Sequence, residues 1–390
     1  MIDFTVTGLP ALDSPIWYEQ DRGKVYRQLF ESGRHDKRVD DENFCYLYDY
    51  ELCKQVLIDQ QKFTPDGERV LLNMTEGNGS FSSGLLSFRV DSQARSIRQD
   101  LRVALDDNTL VGNLSDGRLA PIKALTESAD IVRQINGFDL ALNLSLEFMS
   151  SILGIPDELQ SLYTAWALSP ENKSVDVLLM QKLNSSISLG HCKGVAKSLK
   201  DRGWENQQIS VAIKLLSHAS LRTVQRSITN LFYVITRHPD LFSNLKEEMF
   251  DSFITETLRL YPPTVALART AKIDCELQSD LAIRENTHVV VIIGAAQRDP
   301  ARYDDPDRFD LHRNAKELLA FGWGPHSCLG ERIARSVLGA VLKYLRRNNV
   351  KLRLASDPTP MRSFSFATWT NLPLIADSSK KGIQHERIKN

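Results

Sequence analysis

From Ile209 to Ile235, apolar side chains return at Ile213, Leu216, Val224, Ile228, Leu231 and Ile235. Those steps line one face of a helix. His238-Pro239-Asp240 ends it, because the residue before a proline is pushed out of the helical region. The run far exceeds the ~11–12 residues of a mean helix, so a spine through the core is predicted. A second stripe follows Gly330: Ile333, Ala334, Val337, Leu338, Val341, Leu342 and Leu345, with Arg332, Arg335, Lys343, Arg346 and Arg347 largely off it. Its last turn is basic, where the helix macrodipole favours cations. Strand patterns are shorter. His288 to Ile293 is a β-branched run closed by Gly294, and Tyr46-Leu47-Tyr48 and Lys351–Leu354 are lesser candidates. The pattern is that of a mainly α protein with a minor β-sheet region. No repeat of about 20–50 residues and no low-complexity linker divides it. One large domain is expected over 1–377, followed by a polar tail over 378–390.

Composition narrows the class. A chain of 390 residues with 42% hydrophobic residues builds a core without disulfides or a structural metal. A net charge of -1 argues against a nucleic-acid partner held by a global field. Five cysteines (Cys45, Cys53, Cys192, Cys275, Cys328) are an odd number without CxxC spacing. They fit neither a disulfide framework nor a zinc ribbon, and they suit a reducing cytoplasm. The first thirty residues hold charges and proline rather than the apolar run of a signal peptide. No stretch reaches the ~18–20 apolar residues of a membrane span. The expectation is a cytoplasmic chain with no membrane partner.

The candidate chemistry lies in Phe321-Gly322-Trp323-Gly324-Pro325-His326-Ser327-Cys328-Leu329-Gly330. A lone Cys beside a turn is ordinarily a small buried thiol. Here it lies in a glycine-rich loop, where a backbone approaches something flat or bulky, and a helix N-terminus follows. Free amides and the positive helix end both favour thiolate. A thiolate without a second Cys or His at metal spacing suits axial ligation of a heme iron better than zinc.

This segment resembles the heme-binding signature of the cytochrome P450 family: Phe, two residues, Gly, one residue, a basic residue, one residue, Cys, one residue, Gly. Phe321, Gly324, His326, Cys328 and Gly330 supply it. Glu256-Thr257-Leu258-Arg259, followed by Tyr261-Pro262-Pro263, is similar to the family's Glu-x-x-Arg helix. Glu and Arg at i,i+3 share a helix face; an exposed pair adds only about 0.2–0.5 kcal/mol. In the family the pair is buried and completed by a further Arg, here Arg308 or Arg313. Ala295–Pro300 is also family-like. The resemblance implies the single-domain P450 fold, heme b (iron protoporphyrin IX), and Cys328 as the axial thiolate that favours O–O cleavage. It implies Arg98, Arg269 and His326 as partners of the heme propionates, with Phe321, Gly322 and Gly330 shaping the heme pocket. A His common in the family four residues before Arg98 is replaced by Ala94.

The long helix departs from the family's Ala-Gly-x-acid-Thr motif. Ala219-Ser220-Leu221-Arg222-Thr223 keeps the Thr, but Ser220 replaces Gly and Arg222 replaces the acid that helps relay protons. An Arg cannot cycle protons at neutral pH. Four readings stand. Thr223 and water relay protons in a monooxygenase. Arg222 anchors a substrate carboxylate, as in the family's fatty-acid peroxygenases, although those follow it with Pro rather than Thr223. The enzyme couples phenolic or aromatic radicals without inserting oxygen. Arg222 points away into a structural contact. Catalytic roles are assigned to Thr223, Arg222 and Ser220. The segment between Ile155-Pro156 and the long helix, where lid helices belong, is short for the family. That predicts an open pocket for a bulky or carrier-tethered substrate. Candidate lining residues are Leu86, Phe88, Arg89, Val265, Ala266, Leu267, Phe364, Phe366 and Thr368. The resemblance implies an oxidoreductase of EC class 1.14, acting on a hydrophobic or aromatic small molecule in secondary metabolism. Its electrons would come from a ferredoxin or flavodoxin and its reductase, docked near Arg332 and Arg335. A catalytically degenerate partner or scaffold protein is the alternative of another class.

Overall fold

The computed structural model describes residues 14, 17, 22–31, 36–39, 43–76, 92–107, 110, 119–122, 133–278, 281–315 and 317–378. Leu86, Phe88 and Arg89, and the tail beyond residue 378, lie outside them.

The first half of the chain supplies α1 (Arg22–Glu31), β1 (Asp36–Val39), β2 (Phe44–Leu47), α2 (Tyr50–Ile58), β3 (Phe63–Thr64), α3 (Asp66–Glu76) and α4 (Ser92–Leu105). Then come β4 (Arg133–Asn136), α5 (Gly137–Leu153), α6 (Gln160–Leu168), α7 (Lys173–Ser188) and α8 (Gly194–Asp201). The spine α9 (Asn206–Arg237) is followed by α10 (Phe250–Leu260), β5 (Leu267–Ala271), β6 (His288–Val291), α11 (Glu331–Arg347), β7 (Val350–Leu354) and β8 (Pro373–Ser378).

At 32 residues, α9 extends beyond its apolar stripe at both ends. A capping box explains its start: the Glu205 side chain accepts from the backbone of Gln208, whose side chain accepts from the Glu205 amide. It packs along α5, and Ile228, Leu231 and Phe232 are fully buried. Each contributes roughly 1.5–3 kcal/mol. The basic helix after the cysteine loop is α11, with Ile333, Val337, Leu338, Val341, Leu342 and Leu345 inward.

The main sheet has the order β1-β2-β6-β5-β3; β2 and β6 pair parallel, from Phe44–His288 to Leu47–Val291, and the other pairs are antiparallel. The β6 strand stops at Val291, earlier than its apolar run, and a helical turn begins at Ile293. There the backbone of Gly294 meets Tyr26 of α1 so closely that a Cβ would sit 2.5 Å from its hydroxyl. A second antiparallel sheet runs β4-β8-β7. The segment expected to form lid helices holds α6, α7 and α8. Among the described residues no helix is long and apolar enough to cross a membrane.

Candidate functional site

The cysteine loop is folded by its glycines. Gly322 and Gly324 adopt φ of 67° and 72°, the left-handed region that a side chain resists. Gly324 also presses on α2: an added Cβ would lie 3.0 Å from Ile58 Cα. The Cys328 amide donates to the Phe321 carbonyl (2.8 Å) and closes the loop. The backbone amides of Gly330 and Glu331 donate to the Cys328 sulfur. A Cβ on Gly330 would meet only that sulfur, at 3.9 Å, so the glycine leaves its surroundings open.

Cys328 is exposed, yet desolvation is the largest influence on its thiol and pushes it up. The two amides and Arg98 pull the other way without winning. The two amides favour thiolate as expected from the loop and helix, and desolvation, which the sequence does not show, opposes them; a metal cation bound there would favour the thiolate. With amide donors already aimed at the sulfur, the site fits that role.

Behind the loop stands a buried frame. Glu256 and Arg259 pair through two contacts of 2.7 Å and are almost wholly inaccessible. Arg313 is the completing cation, its Nε donating to Glu256 Oε1 at 3.1 Å. Arg308 contributes its carbonyl to Arg259 and turns its side chain to Asp310 and Asp305. The frame reaches the loop through Gln297. Arg259 Nη1 donates to the Gln297 carbonyl (2.9 Å), and Gln297 Oε1 accepts from the Ala320 amide (2.9 Å), next to Phe321.

Two of the three expected propionate partners meet at the loop. Arg98 on α4 donates to the Ser327 carbonyl at 2.7 Å, and His326 Nε2 lies 3.0 Å from Gln60 Nε2. Arg269 on β5 is buried and committed elsewhere, to Glu68 of α3 (3.3 Å) and the Ala268 carbonyl (2.9 Å). Burial pushes Arg269 down and Glu68 up, each partly offset by the other. No local pattern marks Glu68 or Gln60.

On α9, Ala219 is exposed although it sits mid-helix in the spine, and Ser220, Arg222 and Thr223 are half-buried. The Thr223 hydroxyl is 2.9 Å from the Ala219 carbonyl and 3.0 Å from that of Ser220; the Ser220 hydroxyl donates to Leu216 (2.7 Å). Arg222 turns to α6, donating to Gln225 Oε1 (3.1 Å) and the Ala167 carbonyl (3.3 Å). Arg226, which the motif does not mark, lies over the Phe366 ring at 3.9 Å. Of the other lining candidates, Val265, Ala266 and Thr368 are buried and Leu267 half-buried. Phe364 is core, edge-on to Trp17. Near the proposed dock, Arg335 is engaged by Glu331 (3.0 Å) and Asp251 (3.4 Å), and Arg332 by the Asp106 carbonyl.

A sequence model described as cytochrome P450 matches residues 190–373. The mycinamicin VIII C21 methyl hydroxylase of Micromonospora griseorubida is 26% identical over 339 residues, 80% of this chain and 84% of that protein. The vitamin D3 dihydroxylase of Streptomyces griseolus is 34% identical over 165 residues, 41% and 40% of the two chains. In fold, the chain is similar to the P450 CYP109Q5 from Chondromyces apiculatus, with a TM-score of 0.81, 18% identity, and coverage of 94% and 98%. It is likewise similar to P450BioI solved with a fatty-acid-ligated acyl carrier protein: TM-score 0.76, 21% identity, coverage 94% and 100%.

Proposed function

We infer that the chain is a member of the cytochrome P450 family of oxidoreductases and acts as a heme-thiolate monooxygenase on a hydrophobic or aromatic small molecule in specialised metabolism. The observation that carries the reading is the Cys328 loop, with two amides on the sulfur and a tie through Gln297 to a buried ion-pair frame. Cys328 would hold heme b, and Arg98 and His326 would take its propionates. Arg269 would join them only by giving up Glu68. When bound, heme supplies the iron at which oxygen is activated.

The remaining roles fall to this chain's own groups. Thr223 and Ser220 keep hydroxyl protons on the open side of α9, each parked on a helix carbonyl one turn back. They are the groups able to pass a proton, since Arg222 is a donor only. Arg222 has its guanidinium engaged by Gln225 and α6, which speaks against its use as a carboxylate anchor. Electrons would come from a ferredoxin or flavodoxin and its reductase. The hydroxylases among the relatives support a substrate of bulky, apolar character.

The test is the absorption spectrum of the dithionite-reduced protein with carbon monoxide, followed by product masses. A thiolate-type Soret band and a product heavier by one oxygen support monooxygenation. A product of two substrates less two hydrogens means coupling, and turnover on peroxide alone means peroxygenation. A heme-free chain supports the scaffold alternative.

A further inference from the structure

On α9, helical spacing sets His218 and Arg222 in one row and Ala219 and Thr223 in the next. All four are exposed or half-buried, so they form one open strip. The first row runs along α6: His218 packs edge-on against Trp166 (4.7 Å, 72°), and Arg222 reaches the Ala167 carbonyl. The wall behind His218 is rigid. Trp166 is 1% exposed and its indole N–H donates to Asp176 of α7 at 3.0 Å; Asp176 also binds Lys214, one turn before His218, at 2.6 Å. Among the described residues, neither ring nitrogen of His218 has a hydrogen-bond partner. The ring is braced on its face and unspent at its edge.

Desolvation and Lys214 push His218 below its usual pKa, against Asp176, which favours the uncharged ring. An uncharged imidazole offers one donor and one acceptor, which together match a hydroxyl, itself both donor and acceptor. We propose that His218 is a specificity-determining residue whose imidazole hydrogen-bonds a phenolic or alcoholic hydroxyl of the substrate, selecting hydroxylated molecules over their deoxy analogues. The inference rests on the heme-thiolate reading above and names the substrate class of that same site.

The probes are 4-phenylimidazole and its 2-, 3- and 4-hydroxyphenyl isomers, titrated into the holoprotein and read from the Soret shift as their azole nitrogen meets the iron. At least one hydroxyl isomer should bind about three- to tenfold tighter than the parent, the scale of one net hydrogen bond. His218→Phe should abolish that preference, read as the ratio of each isomer's affinity to the parent's in the same variant. His218→Gln, which keeps a donor and an acceptor, should restore part of it, and it serves also if the Phe variant fails to fold. The same isomer preferences in wild type and both variants, or no preference in wild type, would overturn the proposal. No Soret shift with any probe, the parent included, would instead overturn the heme-thiolate reading, and the proposal with it.

Discussion

Glu256 offers the sharpest test of how the cysteine loop is held. Its carboxylate accepts from Arg259 Nε and Nη2 (both 2.7 Å), Arg313 Nε (3.1 Å) and the Asp310 amide (3.0 Å). Glu256→Ala removes all four acceptor contacts. Arg259 keeps its bonds to the carbonyls of Gln297 and Pro306 but is left as a cation with 0% exposure. Breaking one side of a buried pair costs about 3–5 kcal/mol, against a total stability of about 5–15 kcal/mol. The loss is read from urea titrations followed by tryptophan fluorescence, as the shift in midpoint at constant slope. If the uncompensated Arg259 charge is the main cause, Glu256→Ala/Arg259→Met removes it and leaves Arg313 on the carbonyls of Asp304, Asp305 and Arg308, and the double variant is more stable than the single one. Because Gln297 joins the frame to Ala320, the single variant should also lose its Soret band at lower urea than its fluorescence transition. A loss under about 1 kcal/mol, the size of an exposed ion pair, would refute the reasoning. So would a double variant no better than the single.

Cys328→Ser should fold with an unchanged circular dichroism spectrum but show no thiolate-type carbonyl Soret band. Arg222→Met frees the Ala167 carbonyl, so amide exchange in α6 should quicken while that of α5 does not; equal rates in wild type and variant would deny Arg222 its hold on α6. Gly324→Ala places a side chain at φ 72° against Ile58 and should cost at least the roughly 1–2 kcal/mol of a left-handed residue, read by denaturation. Burial depresses His238 and His288, so the unfolded chain binds these protons more readily than the folded one. Their contribution to stability is present above the unfolded pKa of about 6.5 and is lost as pH falls through the folded values. The urea midpoint should therefore drop on acidification from about pH 7.5 to 5.5, less steeply in His238→Phe.

What could be read from the chain is local. The spine, the helix after Gly330 and the glycines around Cys328 announce themselves through spacing within one or two turns. Glu256 and Arg259 share a face for the same reason. The third cation was ambiguous because Arg308 and Arg313 lie in one loop, and its turns decide between them. Asp305 adopts a positive φ, and the carbonyls of Asp304 and Asp305 draw Arg313 inward. The commitment of Arg269 had no sequence signal at all, since Glu68 lies 201 residues away. Arg222 could be placed on a helix face, but which helix covers that face depends on packing. The cysteine's neighbours point to thiolate because amides and dipole are visible in sequence, whereas the opposing desolvation arises from the packing of the folded chain around the loop.

The main sheet has a consequence for how the chain is made. Asn43, at the foot of β2, bonds to Asn286, 243 residues later, and β2 can pair with β6 only when that stretch has left the ribosome. At about 5–20 residues per second the wait is on the order of ten to fifty seconds. Throughout it, the Phe44–Leu47 strand, which ends fully buried, is an apolar ribbon with an unsatisfied edge. Nascent-chain protection by a chaperone, and slow synthesis that lengthens the exposure, should govern the yield of soluble protein more than the stability of the finished fold.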